Sequence, residues 1–231
     1  MLEFVTALVV AFGVVFVAEL GDRVAISYAP SATAFVGLQE RAVAGTGMLA
    51  LADPSIDETR AAGDLEGLGA MRRPMRPLPQ AREEVARVAA KDAVVLQNSA
   101  ATSEGFRDQA PRRSVLHFAT HAVVDASNPE SSAILLAGSE PLEAREIEEL
   151  QLEADLVSLS GCSTAAGYVV AGEGTLGLTR SFLVAGARSV VASWWDVEDA
   201  AARRFMELFY GDLRAGVDRD RALQNARRVM A

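Results

Sequence analysis

Thiols, imidazoles and lysines are scarce in this chain. Its 231 residues hold one cysteine, Cys162, two histidines, His117 and His121, and one lysine, Lys91, among 22 basic residues. One cysteine excludes an intramolecular disulfide framework and a zinc site built from several thiolates. Both histidines fall in one heptapeptide, "VLHFATH" (115–121), so any cysteine–histidine chemistry pairs Cys162 with one of them. Cations are also in deficit: 31 carboxylates give a formal net charge of −9, and a general nucleic-acid binder would carry a basic stripe instead. The carboxylates show no metal-ligand spacing. Neither a metal nor another cofactor is expected.

Half of the residues are apolar, enough for the core of one α/β domain or two small ones. Short β-rich runs alternate with amphipathic stretches, the pattern of a mostly parallel sheet flanked by helices on both faces. Strands are predicted near 24–29, 48–52, 93–97, 114–118, 133–137, 155–159 and 189–193. Helices are predicted at 32–41, 79–90, 102–109, 143–150, 174–185, 197–214 and 219–230. Residues 54–79, with Gly63, Gly67, Gly69, Pro74 and Pro77, read as a loop or linker within a domain spanning 23–231.

Residues 1–22 stand apart. "FVTALVVAFGVVFVA" (4–18) carries no charge and is apolar on every side. It reads as an apolar N-terminal helix, short of the roughly 20 residues of a membrane span unless its flanks help. A membrane anchor over 4–20 and a buried or artefactual segment both fit it. The chain is otherwise expected in the cytoplasm. Glu19-Leu20-Gly21-Asp22-Arg23 resembles the motif that opens the first helix of a family of small membrane cation/proton exchangers, with Val24 where that family has Thr or Ser.

In open α/β sheets functional groups collect beyond the carboxyl ends of strands. "SVLHFATHA" places His121 just past one apolar strand, and "ADLVSLSGC" places Cys162, among small residues, just past another. If those strands are parallel neighbours, both side chains leave the same edge. A thiol of ordinary pKa, about 8.5, needs a base or cation to act as a nucleophile, and His121 could serve. Two loop residues without contact remain the alternative. His117, inside the strand, reads as a packed or hydrogen-bonded core residue.

Ordered stretches also carry a resemblance. They are "AISYAPSATAF" (25–35), "VLHFATHAVVDASNP" (115–129), "SAILLAG" (132–138), "ADLVSLSGCSTAAG" (154–167), "GEGTLGLTRSFLVAGARSVVASWWDVED" (172–199) and "FMELFYGDLRAG" (205–216). Together they resemble the CHAT domain, a caspase-like module often found behind tetratricopeptide repeats. The resemblance implies a caspase-like fold and a cysteine endopeptidase in which His121 and Cys162 form the catalytic dyad. It implies the backbone amides of Ala122 and Cys162 as the oxyanion site, a protein or peptide substrate and an activating partner. Ala122 stands where the family usually has glycine. The family usually continues past "RRVMA" into another strand, so the fold is expected to lack its last C-terminal strand. A catalytically inactive interaction or scaffold module, free or membrane-tethered, is the other function class.

Weaker signals surround the dyad. Glu173 reads as a solvated loop acid or as a pocket acid for a basic P1 residue. Trp194, Trp195 and Asp196 read either as a wall of a substrate pocket or as rim packing. Asp196 and Asp199 are candidate caps of the next helix. Asp155 reads as a strand-start residue, and Glu143, Glu146, Glu148 and Glu149 as a solvated helix face. "GEGTLG" (172–177) fits G-x-G-x-x-G, but only "YVVA" precedes it, so it reads as a loop leading into a helix.

Overall fold

The computed structural model describes residues 7–10, 14–17, 32–56, 78–123, 128–138, 140–160, 173–193 and 197–230; for 7–10, 14–17, 32–35, 129 and 173–176 it describes the backbone alone. The chain divides into two units, Val43–Arg204 and Met1–Ala42 with Phe205–Ala231. Each is described separately.

The first elements belong to the smaller unit. β1 (Ala7–Val10) and β2 (Val14–Val17) pair antiparallel, with Ala7 opposite Val17 and Val10 opposite Val14. This corrects the expected apolar helix. The segment is rich in valine, whose branched Cβ favours strands, and all-round apolarity has no period that would select a helix. Among the described residues no helix is long and apolar enough to cross a membrane. The unit also holds α1 (Ala32–Glu40), residues 205–214 of α6 (Asp199–Arg214) and α7 (Arg219–Met230). Phe209 packs edge-on against Tyr210 at 5.4 Å, and Asn225 Nδ2 donates to Asp212 Oδ2 at 2.7 Å, tying α7 to α6.

The larger unit is built on a five-stranded sheet. β3 (Met48–Pro54), β4 (Val94–Asn98), β5 (Val115–Ala119), β9 (Leu156–Ser160) and β10 (Val190–Ala192) lie in the order β10-β9-β5-β3-β4, and every pair is parallel. The central three read as near-continuous apolar runs because both their faces are covered. β6 (Ala122–Val123), β7 (Ala133–Ile134) and β8 (Leu142–Glu143) form a separate antiparallel sheet. The expected strand at 133–137 thus exists in part, in this second sheet. The expected strand at 24–29 and most of the 54–79 loop lie outside the described residues.

Side-chain alternation gives the parallel sheet two unlike faces. Leu49, Leu51, Leu116, Phe118, Val157 and Leu159 share one face and join the main apolar core. Phe118 lies between Phe106 of α3 (Ser103–Gln109) and Phe182 of α5 (Glu173–Ala185), at centroid distances of 5.2 and 5.6 Å. Burying such a ring contributes about 1.5–3 kcal/mol. α4 (Ala144–Glu148) adds Ala144 and Ile147 to that core. The opposite face carries Ala50, Ala52, His117, Ala119, Ser158 and Ser160, all buried. It is small and partly polar.

α2 (Ala81–Val88) covers that second face with Ala81, Glu84, Val85 and Val88, an i, i+3, i+4, i+7 stripe. Its Arg82 donates from Nε to Asp53 Oδ2 and from Nη2 to Asn98 Oδ1, both at 2.5 Å. Asp53, next to last in β3, and Asn98, last in β4, have φ of 44° and 54°, left-handed angles that Asp and Asn tolerate better than most residues. One guanidinium thus fastens α2 over two strand ends.

Candidate active site

β5 and β9 are parallel neighbours, and their register pairs Ala119 with Ser160 at the carboxyl ends. His121 follows Ala119 by two positions, and Cys162 follows Ser160 by two in the sequence. Cys162 itself lies outside the described residues, as do Trp194, Trp195 and Asp196. Of Glu173 the structure describes only the backbone, the first residue of α5. Gly174 and Gly177 lie within that helix, not in a strand-to-helix turn.

The chain leaves the parallel sheet after Ala119 and enters the antiparallel one at Ala122. Two hydrogen bonds hold this step: Thr120 Oγ1 donates to the Leu135 carbonyl at 2.8 Å, and the Leu135 N–H donates to the His121 carbonyl at 2.9 Å. His121 is only 7% exposed. The bond between residues 135 and 121, flanking the Ala122–Ile134 pair, marks that pair as non-hydrogen-bonded. The Ala122 N–H is therefore directed away from β7. Ala122 is not among the described residues of positive φ, so alanine sits there without backbone strain.

Behind this edge lies a buried polar layer. His117 Nε2 is 2.9 Å from Glu84 Oε1, with side-chain exposures of 0% and 2%. The contact lacks hydrogen-bond alignment. His117 is thus a core residue, as its place inside the strand implies. Asp199, at the start of α6, accepts from the Gln80 N–H at 2.7 Å and so caps α2 as well as opening its own helix. Burial pushes the Asp199 carboxyl above its ordinary value. The Gln80 N–H opposes this, Glu84 adds to it, Arg203 opposes it and Asp53 adds to it.

The acidic run is less solvated than expected. Glu146 accepts from the Glu143 N–H at 2.9 Å and pairs with Arg107, while Glu148 accepts from Arg180 and Ser181 of α5. Asp155, immediately before β9, pairs with Arg188 at 3.4 Å. Sequence reasoning passed over Glu84 and Ser160. Glu84 had a signal, a carboxylate at an inward position of an otherwise apolar stripe. Ser160 had one in its alternation with Ser158 along a buried strand.

The CHAT domain family model matches residues 16–231. The chain belongs to the CHAT domain family. Among curated proteins, tetratricopeptide repeat protein 28 of Homo sapiens is 37% identical over 111 residues, which cover 46% of this chain and 4% of that protein. Its Mus musculus counterpart is 38% identical over 89 residues, 38% of this chain and again 4% of the relative. The matched stretch is a small part of either relative. The likeness of residues 4–23 to an exchanger helix is not borne out, since strands occupy 7–10 and 14–17 and the CHAT match begins at residue 16.

Proposed function

We propose that this CHAT domain is a cysteine endopeptidase acting through Cys162 and His121, held latent until a partner opens the site. The observation that carries the reading is the register of β5 and β9: Ala119 faces Ser160, and each candidate residue follows its strand end by two positions. Adjacent strands lie about 4.8 Å apart, which puts both chain exits within side-chain reach of one peptide. The direction of the Ala122 amide away from β7, which leaves it outside the ladder, supports its role as an oxyanion donor. The low exposure of His121 favours latency.

In this mechanism the His121 imidazole takes the Cys162 thiol proton as sulfur attacks the scissile carbonyl carbon. The amides of Ala122 and Cys162 receive the negative charge that moves onto oxygen. Collapse expels the amine, which takes the proton from the imidazolium and leaves a thioester. Water, deprotonated by His121, then attacks the thioester, and the returning proton restores the thiol. Nothing beyond water is consumed.

A scaffold is the second reading, favoured by the same burial of His121 and by relatives named for their repeats. The test is a peptide library incubated with the full chain and mapped by mass spectrometry. Cleavage lost in both Cys162→Ala and His121→Ala supports the peptidase. Cleavage that survives Cys162→Ala refutes the mechanism. No cleavage by wild type, together with a thiol no more reactive than a free one, favours the scaffold.

A further inference from the structure

Between Ala119, the last residue of β5, and Ala122, the first of β6, the chain changes sheets. Thr120 and His121 belong to neither strand, and buried backbone outside a ladder must be held by other bonds. Thr120 supplies one of them. It is wholly buried, and its Oγ1 donates to the Leu135 carbonyl at 2.8 Å, while the Leu135 N–H donates to the His121 carbonyl at 2.9 Å. Both backbone polar groups of Leu135, itself buried, thus close on two successive residues.

The far side of this clamp is anchored. Two residues on, the Ala137 N–H donates to the Ala101 carbonyl at 2.7 Å, and the adjacent Thr102 caps α3 through the Gly105 N–H. α3 carries Phe106, whose ring packs at 5.2 Å on Phe118 of β5. These contacts close a ring that starts and ends on the strand leading to His121. Branching at Cβ stiffens a threonine side chain, so its hydroxyl bond fixes the backbone as well as the rotamer. Valine has nearly the same shape, but it would leave the buried Leu135 carbonyl without this donor.

We infer that Thr120 is a positioning residue for His121, its hydroxyl clamping the backbone that carries the imidazole. The consequence for turnover rests on the proposed peptidase reading, in which a general base is oriented by a further group. The clamp itself is read on His121 alone.

The experiment maps ethoxycarbonylation of the two histidines by diethyl pyrocarbonate in the full chain, for wild type, Thr120→Val and Thr120→Ser, with amide hydrogen exchange of wild type alongside. His117, wholly buried inside β5, is the internal control. Losing one buried hydrogen bond raises local opening, so His121 in Thr120→Val should react about tenfold faster than in wild type. His117 should not change, and Thr120→Ser, which keeps the hydroxyl, should stay near wild type. In wild type the Leu135 N–H should exchange as slowly as the amides of β5. On any peptide that wild type cleaves, Thr120→Val should lower kcat about tenfold with KM little changed. The clamp is overturned by an unchanged His121 rate, by equal rises at both histidines, by a serine variant that behaves like valine, or by a Leu135 amide exchanging at loop rates. A faster His121 with unchanged kcat overturns the role of Thr120 in the reaction. If wild type cleaves nothing while the reactivity pattern holds, the peptidase reading falls and the clamp stands.

Discussion

Glu84 Oε1 and His117 Nε2 meet 2.9 Å apart, with both side chains almost wholly out of solvent. The pair joins α2 to the middle of β5, on the face where the sheet is otherwise lined by alanine and serine. Breaking a buried polar contact from one side strands the other group, whereas replacing both by apolar residues is often neutral. His117→Leu alone should cost about 3 kcal/mol, and His117→Leu with Glu84→Met should recover most of that loss. Urea unfolding of the two single variants and the double measures the coupling. Additive losses would show that the pair is not energetically linked.

Asp199 makes stability depend on pH in a stated direction. Its folded pKa is raised above 3.8, first by burial, so folding favours the protonated carboxyl. The contribution is full below 3.8 and is lost as pH rises through the raised folded value. Asp199→Asn keeps an oxygen to accept the Gln80 N–H and cannot titrate. The melting temperature of wild type relative to this variant should therefore climb as pH falls across that window. A constant difference would show that Asp199 does not titrate abnormally.

Gly186 ends α5 at φ 122°, where the Ala187 N–H donates to the Phe182 carbonyl at 2.9 Å and the Gly186 N–H to the Leu183 carbonyl at 3.3 Å. These two bonds form a Schellman cap. A Cβ at this position would sit 2.3 Å from the Leu152 carbonyl oxygen. Gly186→Ala must then move the backbone on which Phe182 and β10 depend. A loss of about 3 kcal/mol is expected, at the upper end of what a strained backbone angle costs, and chemical denaturation reads it directly. By contrast, Thr102→Ala removes only the α3 cap on the Gly105 N–H and should cost about 1 kcal/mol.

Most of the architecture was legible because the buried strands announce themselves. The runs around Leu116, Leu156 and Val190 are apolar and short, and the stretches between them repeat at helical spacing. The N-terminal hairpin was not legible from apolarity alone, since a segment apolar on every side has no period; its valines were the usable signal. Sheet membership was also out of reach. Ala133 and Ile134 read as a strand, but only their pairing with Ala122 and Val123 assigns them to the antiparallel sheet. Asp199 shows the same limit: a cap was foreseeable at its own helix, yet its carboxylate reaches the start of α2, 119 residues earlier. For the candidate site, the place of His121 just past β5 was readable and Cys162 lies outside the described residues, whereas the unpaired Ser160 hydroxyl and the direction of the Ala122 amide away from β7 depend on three-dimensional pairing.

The Ala122 amide offers the sharpest test of the proposed chemistry. A donor that meets the oxyanion only in the transition state should affect turnover and leave substrate binding nearly unchanged. Ala122→Gly keeps the N–H, and because the Ala122 backbone is unstrained, glycine gains no angle it needs; kcat should stay within about twofold of wild type. Ala122→Pro removes the N–H at a residue that makes no ladder bond through it, so β6 keeps its pairing. For that variant kcat should fall by about 10²–10³ with KM little changed, the loss typical of one oxyanion donor. A fall shared equally by both variants would place the defect in packing around Ile134. An unchanged kcat in Ala122→Pro would remove this amide from the mechanism.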